Sequence, residues 1–430
     1  MITKTRLHAW LSTIGSAGDV NPFIAISREL VRRGHRATLV TSSFFETQAR
    51  SAGLGFVGLG SAEDYRRTVD APDLWDPKTG FRVFAQRVVI PAIQPVYDIL
   101  SANMGPDTVL VAQGQTFGAH LAHEKSGAPF VTANLQPAAL RSLHDAPLMP
   151  RWMPTSLRPA VYALIDRLVL DRELAPGINA IRSRLGLPKV SRLFASWAHS
   201  PQKSLGLFPD WFAPPQPDWP PQTELTGFVF LDEDASPLAP ELAAFLAAGE
   251  PPIVFTPGTA MKHADLFFRD SIRASMELGR RAILLTRYPD QVPTPLPDGI
   301  AYFAYAPFAS LLPRVAALVH HGGIGTVAQA LAAGIPQLVR PMTFDQPDNA
   351  ARLTRLGVGA TLRPGQYESR VVARVLQALL DSRAVAESCR RYASRIVPAD
   401  ALAAACDAIE AVAAHRGPAR PGAAPQGVPR

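Results

Sequence analysis

The chain has almost no cysteine: of 430 residues only Cys389 and Cys406 carry a thiol, both in an alanine-rich stretch. Two thiols so placed form no disulfide framework and match no metal-ligand spacing, and they predict an intracellular protein. Long apolar runs are also missing. No stretch reaches the roughly 18 uninterrupted apolar residues of a membrane span, so the chain is not expected to cross a bilayer. The run Leu7 to Leu11 follows Lys4 and Arg6, as in a signal peptide, but it is short. It leads into Gly15-Ser16-Ala17-Gly18-Asp19, a strand-to-helix turn and not a cleavage site, so it reads as a first core strand. The net charge of +7 comes from basic residues scattered along the chain. Without a basic stripe interleaved with aromatics, nucleic acid is not an expected partner, whereas nucleotide phosphates and an anionic membrane surface stay open.

A hydrophobic share of 47% against 18% charged residues describes a globular protein, and the length suggests two lobes. Short β-rich runs alternate with helical patterns: His8 to Ile14, Pro22 to Arg33, Arg36 to Thr41, Phe44 to Ala52, Gly55 to Leu59, then Thr108 to Asn134. Strands separated by single helices predict a parallel, doubly wound sheet. Two insertions interrupt the pattern, at 62–103 and at about 144–185. The Pro-rich passage from Phe208 to Pro221 can sustain neither helix nor central strand and is expected to be an interdomain linker. The alternation restarts at Pro252 to Thr256 and continues through Ala317 to His320. The predicted organisation is an N-terminal Rossmann-like domain at 1–207, a linker at 208–227 and a C-terminal Rossmann-like domain at 228–398. A C-terminal helix at 399–416 is expected to pack back on the first domain, and the Gly/Pro/Ala tail at 417–430 is compositionally disordered.

The stretch His320-His-Gly-Gly-Ile-Gly-Thr-Val-Ala-Gln-Ala-Leu-Ala-Ala-Gly-Ile-Pro336 puts a glycine-rich turn between a strand and a helix. Such a turn offers bare backbone N–H groups and the positive end of the helix dipole to a phosphate. By physical role His321 would donate to a diphosphate, and Gly323, Gly325 and Thr326 would bring further donors to the same oxygens. Thr259, in Pro257-Gly-Thr259, is either another phosphate ligand or the cap of the next helix.

These residues, with Tyr305-Ala306-Pro307, Gly334-Ile335-Pro336 and Asp345-Gln346, resemble the donor signature of the family-one glycosyltransferases of GT-B fold. The fold so implied is α/β, with two Rossmann-like domains whose parallel sheets face each other across a cleft. Further segments, Gly15-Ser-Ala-Gly-Asp-Val-Asn-Pro-Phe23, Tyr65-Arg-Arg-Thr68, Leu74-Trp-Asp-Pro-Lys-Thr79 and Trp211-Phe-Ala-Pro-Pro-Gln216, resemble the bacterial rhamnosyltransferase B chains of rhamnolipid biosynthesis. That resemblance implies inverting transfer of L-rhamnose from dTDP-L-rhamnose to a 3-(3-hydroxyalkanoyloxy)alkanoate. It also implies a donor site in which Tyr305 and Ala306 border the nucleobase, Gln329 meets the ribose, and Asp345 with Gln346 reads the sugar hydroxyls. No cofactor or metal is expected beyond the nucleotide-sugar co-substrate.

Asp19 is carried over from bacterial relatives as the general base, because a neutral hydroxyl attacking the sugar C1 must lose its proton. Its alternative is to complement the dipole of the helix signalled by Asn21 and Pro22. Tyr305 could likewise be a core tyrosine. For the acceptor, Trp75, Phe84, Val88, Trp152 and Met153 could line an apolar groove, or belong to amphipathic core helices. With Arg82, Arg87, Arg151, Arg158 and Arg167 nearby, a cytoplasmic protein touching the inner membrane peripherally is conceivable. Rival readings are a relative that glycosylates a polyketide, peptide or sterol, a two-lobed nucleotide-sugar epimerase, and an inactive GT-B scaffold.

Overall fold

The computed structural model describes residues 6–150, 152–231, 236–258 and 261–415. Among them are two parallel sheets. The first contains β1 (His8–Ser12), β2 (Arg36–Ser42), β3 (Gly55–Leu59), β4 (Thr108–Gln113), β5 (Phe130–Asn134), β6 (Lys203–Gly206) and β7 (Thr223–Leu225). Its spatial order is β3-β2-β1-β4-β5-β6-β7. The second contains β8 (Ile253–Thr256), β9 (Ala282–Leu285), β10 (Ile300–Phe303), β11 (Ala317–His320), β12 (Gln337–Val339) and β13 (Gly359–Thr361), in the order β10-β9-β8-β11-β12-β13. Strands covered by helices on both faces have no polar side to present, and β4 and β8 are accordingly buried at every residue. In each sheet the strand order reverses once, between β1 and β4 and between β8 and β11. Ligands of such sheets bind at the carboxyl ends of the strands flanking that reversal.

The first helix begins earlier than the sequence pattern suggests. It spans Ala17–Arg32, not Pro22 onward, with Ser16 as its N-cap and Pro22 inside it. Asp19 therefore lies within the first helical turn. Its carboxylate Oδ2 accepts from the Ser16 backbone N–H at 2.8 Å and the Ser16 hydroxyl at 3.1 Å, satisfying donors that a helix start otherwise leaves open. Gly15 makes room for this arrangement: at φ +130°, a Cβ there would come within 2.3 Å of Asp19 Oδ2.

The Pro-rich segment is not a free linker. It leads directly into β7 of the first sheet, and its Phe208, Phe212, Ala213 and Trp219 are buried with Val327, Leu331, Ala350 and Leu353 of the second lobe. Proline interrupts regular structure there, but the aromatic rings between the prolines carry the packing, each buried ring removing a large apolar surface from water. The helix Pro398–Ala414 returns to the first lobe and buries Ala401, Ala405, Cys406, Ile409 and Val412 in its core, beside Phe23, Ile26 and Leu30. Small side chains allow that close approach, and Cys406 Sγ lies 3.8 Å from the Ile26 carbonyl oxygen. Truncating Ile409 to alanine there would cost about 2–5 kcal/mol.

The insertions form a helical layer in which Val89 and Ile93 pack on Phe117, Leu121, Leu174 and Ile178. They also reach the second lobe. Trp75 packs on the second lobe's core, Lys262 pairs with Asp70 at 2.8 Å, and Asp145 pairs with Arg352 and Arg355, each at 2.7 Å.

Candidate active site in the interlobe cleft

A cleft of about 1610 Å³ runs between the two lobes. The strands at the two reversal points deliver its chemistry: Asp19 follows β1, Gln113 ends β4, Gly258 follows β8 and His321 follows β11. Of the expected site residues, Asp19, Tyr305, Ala306, His321, Gly323, Gly325, Thr326, Gln329, Asp345, Gln346, Trp75, Phe84 and Val88 line it. Thr259 and Arg151 lie outside the described residues, as does the tail 417–430.

Two acceptor expectations are corrected. Trp152 and Met153 do not line the cleft, and Trp152 is 80% exposed. Their segment is tied elsewhere: Tyr162 donates to the Ser142 carbonyl, and Asp145 is held by Arg352 and Arg355 of the helix Gln346–Leu356. The arginines proposed beside them form no single patch, because Arg87 lines the cleft near Asp73 at 3.4 Å while Arg158 turns inward onto main-chain carbonyls. Tyr305 is no core residue, being 59% exposed on the cleft wall.

On the second lobe, the turn after β11 is fixed from beneath. The Gly322 N–H donates to His320 Nδ1 at 3.1 Å, which leaves His320 Nε2 to donate to Gln337 Oε1 at 3.0 Å. Burial pushes the His320 imidazole down to about 3. His321 is half-buried on the cleft wall, desolvation pushes it down to about 4, and its buried Nδ1 has no hydrogen-bond partner among the described residues. A Cβ on Gly258, at φ +105°, would come within 2.8 Å of that imidazole. The helix Ile324–Ala333 starts at Gly323 with no side chain capping it. A neutral imidazole and uncapped helical N–H groups thus meet at one point of the cleft, an arrangement suited to an anion.

Asp345 and Gln346 begin the helix Gln346–Leu356 on the same lobe. Asp345 Oδ2 accepts from Asn349 Nδ2 at 2.7 Å. Burial, reinforced by the charge of Asp19 opposite, pushes its carboxyl up to about 7. Gln346 is partly committed already: its Oε1 accepts from the Met342 N–H at 2.8 Å and the Thr343 N–H at 3.3 Å. Phe344, just before them, holds φ +58°, a strained conformation for a residue with a side chain.

Sequence reasoning missed Gln113. Its Nε2 donates to Asp19 Oδ1 at 2.9 Å, while its Oε1 accepts from Thr13 Oγ1 at 3.0 Å and from the Ile14 N–H at 3.2 Å. It also missed an aromatic group on the first lobe's wall, where Tyr65 stacks on Phe44 at 4.4 Å and meets Phe45 edge-on at 5.4 Å. The signal was available, since Gln113 and Phe44-Phe45 sit at the carboxyl ends of β4 and β2. No group of three or more His, Cys, Asp or Glu among the described residues could hold a metal ion, and the Asp-x-Asp triplet 232–234 falls outside them.

Residues 9–144 match the glycosyltransferase family 28 N-terminal domain, and residues 283–428 match the erythromycin biosynthesis protein CIII-like C-terminal domain. The O-mycaminosyltylonolide 6-deoxyallosyltransferase of Streptomyces fradiae is 31% identical over 429 residues, covering 93% of this chain and 96% of that one. A sterol 3-beta-glucosyltransferase of Debaryomyces hansenii is 27% identical over 84% of this chain and 24% of its own much longer length. The crystal structure of the glycosyltransferase VinC in complex with dTDP superposes with a TM-score of 0.66 at 18% identity, covering 95% of this chain and all of that one, a likeness of fold. With both lobes matched and nearly the whole chain aligned to one enzyme, the protein belongs to the family-one glycosyltransferases of GT-B fold.

Proposed function

We propose that the protein transfers a deoxysugar, with inversion, from a dTDP-sugar to a hydroxyl group of a small hydrophobic acceptor. The observation that carries this reading is the opposition, across one cleft, of the Asp19 carboxylate and the His321 imidazole with its uncapped helix start. The acceptor hydroxyl attacks the sugar C1 as the bond from C1 to the diphosphate oxygen breaks, and Asp19 takes the hydroxyl proton. Charge gathering on the departing diphosphate is met by His321 and by the N–H groups near Gly323, Gly325 and Thr326. These groups can stabilise the diphosphate by hydrogen bonds and the helix dipole, without a metal ion. Tyr305 and Ala306 border the base, Gln329 the deoxyribose, and Asp345 with Gln346 Nε2 the sugar hydroxyls. Thr259 keeps its proposed phosphate role from sequence alone.

Support for dTDP comes from the nucleotide bound in the structurally similar VinC, and support for a deoxysugar from the 6-deoxyallosyl group named for the Streptomyces relative. The acceptor wall is apolar and aromatic, from Phe44, Tyr65, Trp75, Phe84 and Val88, which suits a hydrophobic aglycone such as a polyketide or sterol. Transfer of L-rhamnose to a 3-(3-hydroxyalkanoyloxy)alkanoate is the narrower case within this reading. The test is incubation of the pure protein with dTDP-L-rhamnose and, separately, such a lipid, a sterol and a polyketide aglycone, with products identified by mass spectrometry. Asp19→Asn should bind dTDP normally yet turn over about 10²- to 10⁴-fold more slowly. Near-wild-type turnover of that variant would remove Asp19 as the base. Intact dTDP binding with no glycoside from any acceptor would favour a scaffold role.

A second surface bears on partners. Leu148, Trp152, Leu157, Leu164, Ile165, Leu168 and Val169 are exposed within one short stretch of the second insertion. Its acids are turned away from solvent or engaged: Asp166 is buried beside Arg141 at 2.7 Å, and Asp171 accepts from the Leu193 N–H at 3.1 Å. The exposed Arg167 and Arg172 remain on the outside. An apolar face with a cationic border fits peripheral contact with an anionic lipid surface.

A further inference from the structure

Gln113 is 4% exposed at the end of β4, and every polar atom of its amide is engaged. The Ile14 N–H can only donate, so the group facing it at 3.2 Å must be the amide oxygen, and the Thr13 hydroxyl joins it there at 3.0 Å. That fixes the amide orientation from the hydrogen-bond network. The other end, 2.9 Å from Asp19 Oδ1, is therefore the NH₂ group, which has donors and no acceptor. An acceptor is required opposite it, and the ionised carboxylate supplies one.

The rest of the Asp19 carboxylate is equally constrained. Oδ2 receives two donors, the Ser16 N–H and hydroxyl, and Oδ1 receives one from Gln113. A carboxylate oxygen has two lone pairs, so a single acceptor position remains, on Oδ1. Resting on the reading of Asp19 as base, we propose that Gln113 is a positioning residue that holds Asp19 ionised and directs its one open lone pair at the acceptor hydroxyl. In the transfer the hydroxyl proton passes to that position of Oδ1 as the new C1–O bond forms and the C1–diphosphate bond breaks.

Burial raises Asp19's proton affinity, and the hydrogen bonds from Ser16 and Gln113 oppose it. Across the cleft from Asp19 stands Asp345, and Tyr65 feels its charge from the helix Ala62–Val69, with Arg287 acting on Tyr65 in turn. Removing the Gln113 donor leaves these neighbours unchanged and takes away one of the groups favouring the charged form.

The experiment follows the Asp19 carboxyl carbon by NMR in full-length protein labelled with ¹³C at the aspartate side-chain carboxyl, its signal assigned by its loss in Asp19→Asn. Gln113→Met keeps the length of the side chain without a donor, and Gln113→Glu keeps an acceptor for Thr13 and Ile14 but sets a second carboxyl against Asp19. The Asp19 midpoint should rise by about half a pH unit or more in Gln113→Met and by more than about one in Gln113→Glu. The acid limb of the transfer rate should move with it while dTDP affinity stays put. Thr13→Val, which loosens the amide anchor and removes a donor to the Asp19 main-chain carbonyl at 3.3 Å but none to its carboxylate, should give a smaller shift in the same direction. An unchanged midpoint in folded Gln113→Met, or in Thr13→Val should the Gln113 variants not fold, overturns the proposal. Failure of the underlying reading looks different: the midpoint shifts as expected, but Asp19→Asn retains its turnover.

Discussion

Phe84 and Phe344 meet edge to face across the cleft, their ring centroids 5.6 Å apart and their planes inclined by 66°. One ring belongs to the first lobe's insertion and the other to the residue before Asp345, so the proposed acceptor wall and the proposed sugar site share a contact. Two variants separate the two duties of Phe344. Phe344→Ala removes the ring and keeps the strained backbone, whereas Phe344→Gly removes both. Loss of an edge-to-face pair worth about 0.5–1.5 kcal/mol predicts a rise of roughly two- to twelvefold in acceptor KM for both. If strain at residue 344 also aims Asp345, the glycine variant alone should lose use of the dTDP-sugar relative to dTDP binding. Steady-state kinetics with each substrate varied will read this.

His321→Ala should weaken dTDP binding. A hydrogen bond to a charged phosphate contributes about 1.5–3 kcal/mol, so calorimetry should show at least a roughly tenfold loss of affinity with the melting temperature little changed. Unaltered affinity would place the diphosphate elsewhere in the cleft.

Asp345 should make the empty protein less stable as pH rises. Its carboxyl is pushed from the usual carboxylate range to about 7 in the fold, so the folded state binds this proton more tightly than the unfolded chain does. Stability from this group is then full below the ordinary carboxylate pKa and is lost progressively as pH climbs to about 7. Asp345→Asn removes the titration. The difference in melting temperature between variant and wild type should move in the variant's favour from pH 4 to pH 7 and level off above. A constant difference would mean that Asp345 titrates normally. The same substitution should impair use of the dTDP-sugar more than binding of dTDP.

The exposed apolar stretch can be tested separately from catalysis. Leu164→Asp together with Leu168→Asp should abolish cosedimentation with phosphatidylglycerol vesicles while leaving dTDP affinity intact. Wild-type protein that stays in the supernatant, or that self-associates until both leucines are replaced, would identify the stretch as something other than a lipid contact.

Much of this architecture was legible in the sequence because the strands of a doubly wound sheet are short apolar runs ended by glycine or polar turns. The His320–Pro336 segment exposed both its strand end and the glycine-rich turn that opens the next helix. Less legible was anything set by distant partners. The helix start at Ala17 depends on Ser16 and Asp19 bonding to each other, and Pro22 signalled a start more than a turn too late. Gln113 carries no motif, since its importance arises only when β1 and β4 lie side by side. In the Pro-rich segment prolines marked irregular backbone correctly, but backbone irregularity says nothing about whether the rings beside it are buried. Trp152 and Met153 share their composition with groove-lining residues, and only the ties of Asp145 and Tyr162 decide which way their segment faces.

The helix Pro398–Ala414 closes a core whose last strand, β7, ends at Leu225. A ribosome finishes that sheet long before it makes the helix, and at about 5–20 residues per second the delay is on the order of ten to forty seconds. Throughout that time Phe23, Ile26 and Leu30 lack the neighbours that cover them in the finished protein. The strands β8 to β13 of the second lobe, by contrast, emerge as one uninterrupted block. The lobe synthesised second thus has all its strands before the lobe synthesised first receives the helix that closes its core.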